Sequence, residues 1–177
     1  MTVSFHIPPI RTARLILRNF RPEDYPRYLA YYTSDRTAGV GGPLSEDKVF
    51  ERFASMIGHW SLRGFGRYAI AHREAPSDPA FGHVGPMKLA EAEETEMTWT
   101  IWDAQHTGKG YATEAARAVL SHLFDQGWSH IAVHIDRSNT ASIRVAERLG
   151  GELDTETPPP AWNENALRYV IRPQDTQ

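Results

Sequence analysis

The alternation of hydrophobic and polar residues predicts a chain of short strands and amphipathic helices. Short apolar or alternating segments predict strands at residues 14–18, 67–72, 82–90, 96–102, 131–135, 152–156 and 166–172. Apolar residues at intervals of three and four predict helices that start near Pro22, Ser45, Gly110 and Asn139. This order of elements along the chain predicts an α+β fold.

One helix has the clearest pattern and decides the topology around it. Its apolar stripe consists of Ala112, Ala115, Ala116, Val119, Leu120, Leu123 and Phe124, and Gly127 follows as a stop signal. The helix connects the strands predicted at residues 96–102 and 131–135. Because a helical crossover joins parallel strands, these two are predicted to be parallel, whereas the preceding strands form an antiparallel meander.

Composition places the chain among ordinary globular proteins. Its 177 residues, of which 41% are hydrophobic and 23% charged, suit one domain spanning residues 1–177. The net charge of −3 argues against a nucleic-acid partner, and no apolar run is long enough to cross a membrane. The chain has no cysteine and starts without a signal peptide, so we expect a cytoplasmic protein without disulfides or thiolate chemistry.

The histidines of the chain predict no metal site. His130 and His134 would share one face of a strand, but four residues at ~3.3 Å each separate them by about 13 Å, too far for one ion. His83, His106 and His122 are scattered along the sequence, and we interpret them as structural or solvated.

A glycine-containing segment lies between the strand at 96–102 and the helix that follows it. Its pattern is Gln105-x-x-Gly108-x-Gly110. The first N–H groups of a helix lack intrahelical acceptors, and the helix dipole adds partial positive charge there. Glycines at this junction leave room for a phosphate to approach the backbone, so the segment predicts an anion site, to which Lys109 could add charge.

Three interpretations of this segment compete. A P-loop is excluded, because its first glycine is absent and Gly110 follows Lys109 where Ser or Thr is required. A dinucleotide fingerprint is closer, but Thr113 stands in place of the third Gly or Ala, and a β-meander precedes the segment instead of alternating strands and helices. A tight turn that binds nothing remains the third interpretation.

The segment Gln105-x-x-Gly108-x-Gly110, with the following residues 111–115 (YATEA), resembles the pyrophosphate loop of GNAT-superfamily N-acetyltransferases. More narrowly, it resembles the RimJ/RimL group, which acetylates the N-termini of ribosomal proteins. Other matches occur in register, at residues 12–18, 60–66, 96–99, 139–142 and 146–150. The resemblance covers roughly residues 10–172.

The resemblance implies the GNAT fold, with a mostly antiparallel central sheet, a splayed pair of parallel strands and helices on both faces. It also implies that acetyl-CoA, used as a cosubstrate without a metal, lies between the two splayed strands. A main-chain N–H near Trp99 or Thr100 would meet the thioester carbonyl. The cofactor-binding residues implied are Trp99, Thr100, Ile101, Gln105, His106, Thr107, Gly108, Lys109, Gly110, Tyr111, Ala112, Thr113, Asn139 and Ser142.

Two residues are candidates for the acid–base chemistry that the resemblance implies. Glu96, at the start of the central strand, would act as a base through water, whereas its neighbour Glu94 is interpreted as a solvated carboxylate. Ser142 stands three residues after Asn139, in the first turn of its helix, and would protonate the departing thiolate. The alternative for Ser142 is a serine at a helix start with no part in catalysis.

The function predicted on this basis is transfer of an acetyl group from acetyl-CoA to a primary amine, by direct attack in a ternary complex. The amine would belong to a protein N-terminus or to a small molecule. A GNAT-fold protein that binds CoA as a sensor or scaffold is the alternative, and a nucleotide-dependent oxidoreductase fits less well because of Thr113. We expect a monomer or homodimer whose partner is the amine acceptor, with neither nucleic acid nor membrane involved.

Overall fold

The computed structural model describes residues 7–91 and 94–173. The strands are β1 (Ile10–Arg11), β2 (Leu15–Arg18), β3 (Tyr68–His72), β4 (Gly82–Met87), β5 (Glu96–Ile101), β6 (Ile131–Asp136), β7 (Glu152–Asp154) and β8 (Ala166–Ile171). The α-helices are α1 (Tyr25–Tyr32), α2 (Glu46–Arg63), α3 (Tyr111–Asp125) and α4 (Thr140–Arg148). Within the described residues, no helix is long and apolar enough to span a membrane.

The strands form one sheet in the order β1-β2-β3-β4-β5-β6-β8-β7. All neighbouring strands are antiparallel except β5 and β6, as the helical crossover between them predicts. The two-residue strand β1 was not predicted, because a pair of residues carries no periodic signal. The strand predicted at 82–90 was too long, since β4 ends at Met87.

Helices cover both faces of this sheet, and the alternation of side chains along β3 shows how. Tyr68 and Ile70 join the larger core cluster, which contains the buried faces of α3 and α4. Ala69, between them, joins a second cluster with the aromatic residues of α1 and α2. Because successive strand residues point to opposite faces, β3 contributes to two separate cores. The predicted arrangement of helices on both faces is confirmed.

The parallel strands β5 and β6 separate soon after they begin. Within the described residues, their ladder contains the single pair Glu96–Ala132. Beyond it, β5 continues to pair with β4 as far as Ile101, and β6 pairs along its whole length with β8. A gap therefore opens in the middle of the sheet, and both strands present backbone and side chains to it. The predicted splayed pair is confirmed.

A buried ion pair anchors β2 to the segment that precedes α1. The carboxylate of Asp24 is fully buried and accepts hydrogen bonds from both terminal nitrogens of Arg18, at 2.8 and 2.9 Å. It also accepts the backbone N–H of Arg21 at 2.8 Å and that of Ala80 at 2.7 Å. One carboxylate thus joins the end of β2 and the turn before α1 to Ala80, which is 56 residues away in sequence.

Candidate active site

The glycine segment becomes an open backbone turn at the start of α3. Gly108 and Gly110 have φ values of +75° and +78°, a conformation that L side chains rarely adopt. The first bond of the helix runs from the N–H of Glu114 to the Gly110 carbonyl at 3.0 Å. The N–H groups of residues 111–113 therefore have no intrahelical acceptor and lie at the positive end of the helix dipole.

Contacts from the connection between β1 and β2 position this turn. Glu114 accepts hydrogen bonds from the Thr12 hydroxyl at 2.6 Å and from the Arg14 backbone N–H at 3.0 Å. Its carboxylate also pairs with the Arg14 guanidinium, and these bonds lower the pKa of Glu114 despite partial burial. Arg14 in turn donates to the Lys109 carbonyl at 3.1 Å and lies over the Tyr111 ring. The turn is thus held from outside before any ligand binds.

A cleft of about 640 Å³, here called the loop cleft, runs from this turn along α4. The predicted cofactor-binding residues that line it are Trp99, Thr100, Ile101, His106, Thr107, Gly108, Gly110, Tyr111, Ala112, Thr113, Asn139 and Ser142. Gln105 and Lys109, also predicted, are exposed and are not part of its lining.

His106 lines the loop cleft, but its ring is engaged with the protein interior. The ring stacks on Phe81 with 4.1 Å between centroids, and its Nε2 lies 2.9 Å from Nε2 of His72. Burial lowers the pKa of His106. A neutral, packed imidazole shapes the wall of the cleft and offers it no charge.

Several arginines near the loop cleft were missed by sequence reasoning. Arg144 and Arg148, four residues apart on α4, line the cleft and are exposed. A neighbouring groove of about 620 Å³ is lined by Arg11, Arg14, Arg117 and Arg148, among others. The spacing of Arg144 and Arg148 placed them on one helix face, but the sequence did not show that this face borders the glycine turn.

A second cavity of about 430 Å³, here called the inner cavity, occupies the gap between β5 and β6. It shares Trp99, Thr100, Asn139 and Ser142 with the loop cleft. The two spaces therefore meet at these four residues, on either side of the splayed strands. A molecule that enters along the loop cleft can meet one that enters through the inner cavity at this place.

The backbone of β5 presents alternate N–H groups to the gap. Trp102 donates its N–H to the Phe81 carbonyl at 2.7 Å, on the side of β4. Successive residues of a strand direct their N–H groups to opposite edges, so Thr100 also faces β4, where it pairs with His83. Trp99 and Ile101 consequently direct their N–H groups toward β6, into the gap.

Ser142 lies where the two spaces meet. Its backbone N–H donates to Oδ1 of Asn139 at 3.1 Å, so Asn139 caps α4 as predicted. The indole Nε1 of Trp99 donates to the Ser142 hydroxyl oxygen at 3.3 Å. Because the hydroxyl oxygen accepts this bond, its own proton is left to donate elsewhere. Among the described residues, none accepts a hydrogen bond from this hydroxyl.

Glu96 lines the inner cavity together with a histidine that sequence reasoning had considered only as a metal ligand. Oε2 of Glu96 lies 2.9 Å from Nδ1 of His134, and both side chains are mostly buried. His130, expected on the same strand face, instead precedes β6 and is exposed. The part of the chain that the structure describes has no group of three or more His, Cys, Asp or Glu residues placed to hold a metal ion.

Glu94 is exposed, as expected of a solvated carboxylate, but it also has charged partners that the sequence did not predict. Its oxygens accept hydrogen bonds from the Arg168 guanidinium at 2.7 and 2.8 Å, which lower the pKa of Glu94. Oε1 of Glu94 also lies 3.6 Å from Nε2 of His134. Arg168 is 74 residues away in sequence, on β8, so no local pattern could have revealed this pairing.

An outer pocket of about 390 Å³ adjoins the inner cavity. Glu96, His134, Leu89 and Trp162 border both spaces, and the last two are each 60% exposed. Thr157, Pro158 and Pro160, in the loop between β7 and β8, also line this pocket. Sequence reasoning missed Leu89 and Trp162, which lie in loops without any periodic signal.

Comparison with known proteins agrees with this geometry. A family model described as an acetyltransferase (GNAT) domain matches residues 14–152. The chain is 27% identical over 143 residues to YnaD, an uncharacterized N-acetyltransferase of Bacillus subtilis (strain 168), covering 80% of this chain and 81% of that protein. It is also 51% identical over 47 residues to the uncharacterized protein YkkB of the same organism, and that match spans only 27% of YkkB.

Solved structures extend the agreement to the whole fold. An acetyltransferase from Agrobacterium tumefaciens str. C58 superposes with a TM-score of 0.86 at 30% identity, covering 98% of this chain and 99% of that chain. RimL, a ribosomal L7/L12 alpha-N-protein acetyltransferase solved in complex with coenzyme A, has a TM-score of 0.73. Its identity is 16%, covering 93% of this chain and 98% of RimL, so the likeness is one of fold. Fold and family match agree, and the chain belongs to the GNAT family of acetyltransferases.

Proposed function

We propose that this protein transfers the acetyl group of acetyl-CoA to a primary amine, within a complex that holds both substrates at once. The observation that carries the proposal is the meeting of the loop cleft and the inner cavity at Trp99, Thr100, Asn139 and Ser142. Two separately open spaces that share one small contact region suit a direct attack of one bound molecule on another.

The loop cleft is the proposed site of acetyl-CoA. The pyrophosphate would accept hydrogen bonds from the N–H groups of residues 108–113, at the positive end of α3. Arg144 and Arg148, and the basic groove beside them, supply positive charge for the remaining phosphate of the cofactor. The presence of coenzyme A in the RimL structure supports this assignment.

Acetyl transfer makes three chemical demands, which residues at or near the place where the loop cleft and the inner cavity meet can satisfy. Attack by the amine nitrogen on the thioester carbon requires a neutral amine, and Glu96 would take up the amine proton through a water molecule. The N–H of Trp99 would donate to the oxyanion, and the direction of the strand favours Trp99 over Thr100 for this role. When the C–S bond breaks, the free hydroxyl proton of Ser142 would be donated to the CoA sulfur, and water would return a proton to the serine oxygen.

The identity of the amine that accepts the acetyl group is the next question. The resemblance to the RimJ/RimL group and the fold shared with RimL support N-terminal peptides of ribosomal proteins as candidates. Release of the CoA thiol from acetyl-CoA should be measured with such peptides and with a panel of small amines. Release that depends on an amine supports the proposal. Tight CoA binding without release on any amine would favour the sensor or scaffold instead.

Replacement of Gly110 by valine should weaken CoA binding at least tenfold. A valine side chain would project into the space proposed for the pyrophosphate, and φ of +78° adds backbone strain of about 1–2 kcal/mol. Calorimetry with CoA measures the affinity, and Gly127→Val is a matched control. Gly127 has φ of +90° and open space around it, at the far end of α3. Equal affinities for the two variants would refute the proposed placement of the pyrophosphate.

Replacement of Ser142 by alanine should lower kcat by roughly 10²-fold, the lower end of the range for a general acid. The thiolate is a tolerable leaving group, since an alkyl thiol has a pKa of about 8.5, so one donor contributes modestly. CoA affinity should stay within a few-fold, and the melting temperature should hardly change because Asn139 supplies the cap. A lower melting temperature with unchanged activity per folded molecule would make Ser142 a structural residue.

A further inference from the structure

The inner cavity contains a buried arginine whose guanidinium has no hydrogen-bond or ion-pair partner among the residues that the structure describes. Arg67 immediately precedes β3, and only 8% of its surface is exposed. Its side chain lines the inner cavity, and among residues 7–91 and 94–173 no hydrogen bond or ion pair to its guanidinium is present. Burial lowers the pKa of Arg67. Charged side chains are almost never fully buried unless they are paired, so the buried guanidinium of Arg67 indicates a place for an anionic partner.

Another buried arginine, Arg18, shows the kind of carboxylate partner that Arg67 lacks. Arg18 is 4% exposed, and the carboxylate of Asp24 engages both of its terminal nitrogens. The carboxylates that line the inner cavity are Glu96 and Asp136, and both have partners of their own. Glu96 contacts His134, and Asp136 accepts bonds from Ser138 and Asn163. Neither carboxylate forms an ion pair with Arg67.

Two further side chains make this end of the cavity a cluster of donors. Arg52 also lines the cavity, and its guanidinium lies over the Tyr32 ring, 5.1 Å from the centroid. Nδ1 of His83 accepts the indole N–H of Trp102 at 2.9 Å. Burial and the two arginines hold the pKa of His83 well below its usual value, so the ring is neutral. Its proton is therefore on Nε2, which makes His83 a further hydrogen-bond donor.

We infer that this arginine cluster, Arg67 with Arg52 and His83, binds a carboxylate of the acceptor. The acceptor is then a primary amine that also carries a carboxylate, as an amino acid does. This inference rests on the proposed function in one respect, namely that the inner cavity holds the acceptor. With its carboxylate at Arg67, the acceptor would direct its amine toward Glu96 and the junction with the loop cleft, since all of these line one cavity.

The chemistry of the guanidinium favours this class of ligand. A guanidinium donates two parallel N–H bonds to the two oxygens of a carboxylate, and bonds between charged groups are about twice as strong as neutral ones. An amine that carries no anionic group would leave the guanidinium of Arg67 desolvated and unpaired when it occupied the same cavity. The cavity therefore discriminates against acceptors that lack an anionic group, because they bring no compensation for the buried charge.

The test compares matched ligands by direct binding in the presence of CoA, which cannot react. The probes are the L-amino acids and a set of dipeptides, each as the free acid and as its carboxamide, with O-phosphoethanolamine and ethanolamine as a phosphate pair. Calorimetry should show at least one acid binding tenfold or more tightly than its amide. The Arg67→Met variant should abolish this difference, and Arg67→Lys should retain part of it.

A control and a stability measurement separate ligand binding from a structural role. Arg63→Met removes an arginine of α2 that pairs with Glu91 outside the inner cavity, and it should leave the acid preference unchanged. Arg67→Met should keep or raise the melting temperature, since it removes an unpaired buried charge. A large loss of stability in both Arg67 variants would make Arg67 structural and overturn the inference.

The outcomes also distinguish this inference from the proposed function. The carboxylate site would be overturned if free acids and their carboxamides bound equally and if acetyl transfer to amines without an anionic group were as fast as to the free acids. The proposed acetyl transfer would then still stand. Binding of acids that depends on Arg67, without CoA release from acetyl-CoA, would support the site and refute the transfer. Dependence on Arg67 for O-phosphoethanolamine alone would overturn the assignment of a carboxylate.

Discussion

Replacement of Glu96 by glutamine should lower kcat by about 10²-fold or more, within the range typical of general acid–base catalysis. The amide cannot accept a proton, yet it has nearly the same shape and can still contact Nδ1 of His134, now 2.9 Å from Oε2 of Glu96. The KM for acetyl-CoA should change little, because Glu96 lies in the inner cavity and not in the loop cleft. Steady-state kinetics with one responsive amine would measure both parameters.

The pH dependence provides the sharper test of this role. The loss in Glu96→Gln should shrink at high pH, where the amine is deprotonated without a base. Glu94→Gln is the control, since Glu94 is paired with Arg168 and does not line the inner cavity. A loss in Glu96→Gln that is the same at every pH, or no loss, would exclude Glu96 as the base. A larger loss in His134→Gln than in Glu96→Gln would assign that role to His134.

Replacement of Arg18 by methionine should lower the free energy of unfolding by about 3–5 kcal/mol, the range for breaking a buried ion pair. The carboxylate of Asp24 would remain fully buried with its two backbone N–H donors but without a compensating charge. Urea denaturation followed by circular dichroism measures the change. The substitution lies away from both the loop cleft and the inner cavity, so CoA affinity of the folded fraction should be unchanged.

An exposed ion pair of the same chain is the matched control. Lys48 and Glu51 lie 2.7 Å apart on α2, with about 60% of each side chain exposed (58% and 63%). Exposed pairs of this kind contribute about 0–1 kcal/mol, so Lys48→Met should have little effect. Similar losses for Arg18→Met and Lys48→Met would contradict the importance assigned to burial. Recovery of stability in the double variant Arg18→Met, Asp24→Leu would confirm that the uncompensated carboxylate is the cause.

Much of the fold could be predicted because its signals are local. The apolar stripe of α3, the side-chain cap of α4 by Asn139 and the start of α2 after Ser45 each depend on residues close together in sequence, although the Ser45 side chain forms no capping hydrogen bond. The parallel pair followed from the position of one helix between two strands. The predictions were less accurate where the local signal was short, as at the two-residue strand β1 and at the end of β4.

The candidate site was predictable only in part. The glycine turn, Asn139 and Ser142 carry a pattern within a single stretch of chain, and the structure brings them to one cleft. The partners of Glu94 and the environment of His134 depend on contacts between strands far apart in sequence. Lys109 and Gln105 fit the pattern, but they are exposed and do not line the cleft, which spacing alone does not reveal.

The sequence by itself determined the order of helices and strands, the parallel crossover and the glycine turn at the start of α3. Each depends on backbone preferences and on hydrophobic periodicity, which act over a few residues. Only the tertiary structure decided that Arg18 has a carboxylate partner, whereas Arg67 forms no ion pair with any residue in the described part of the chain. The two arginines look alike in sequence, since each stands at the edge of a predicted strand. Burial and pairing are properties of the space around a charge, and that space is created only when distant segments pack together.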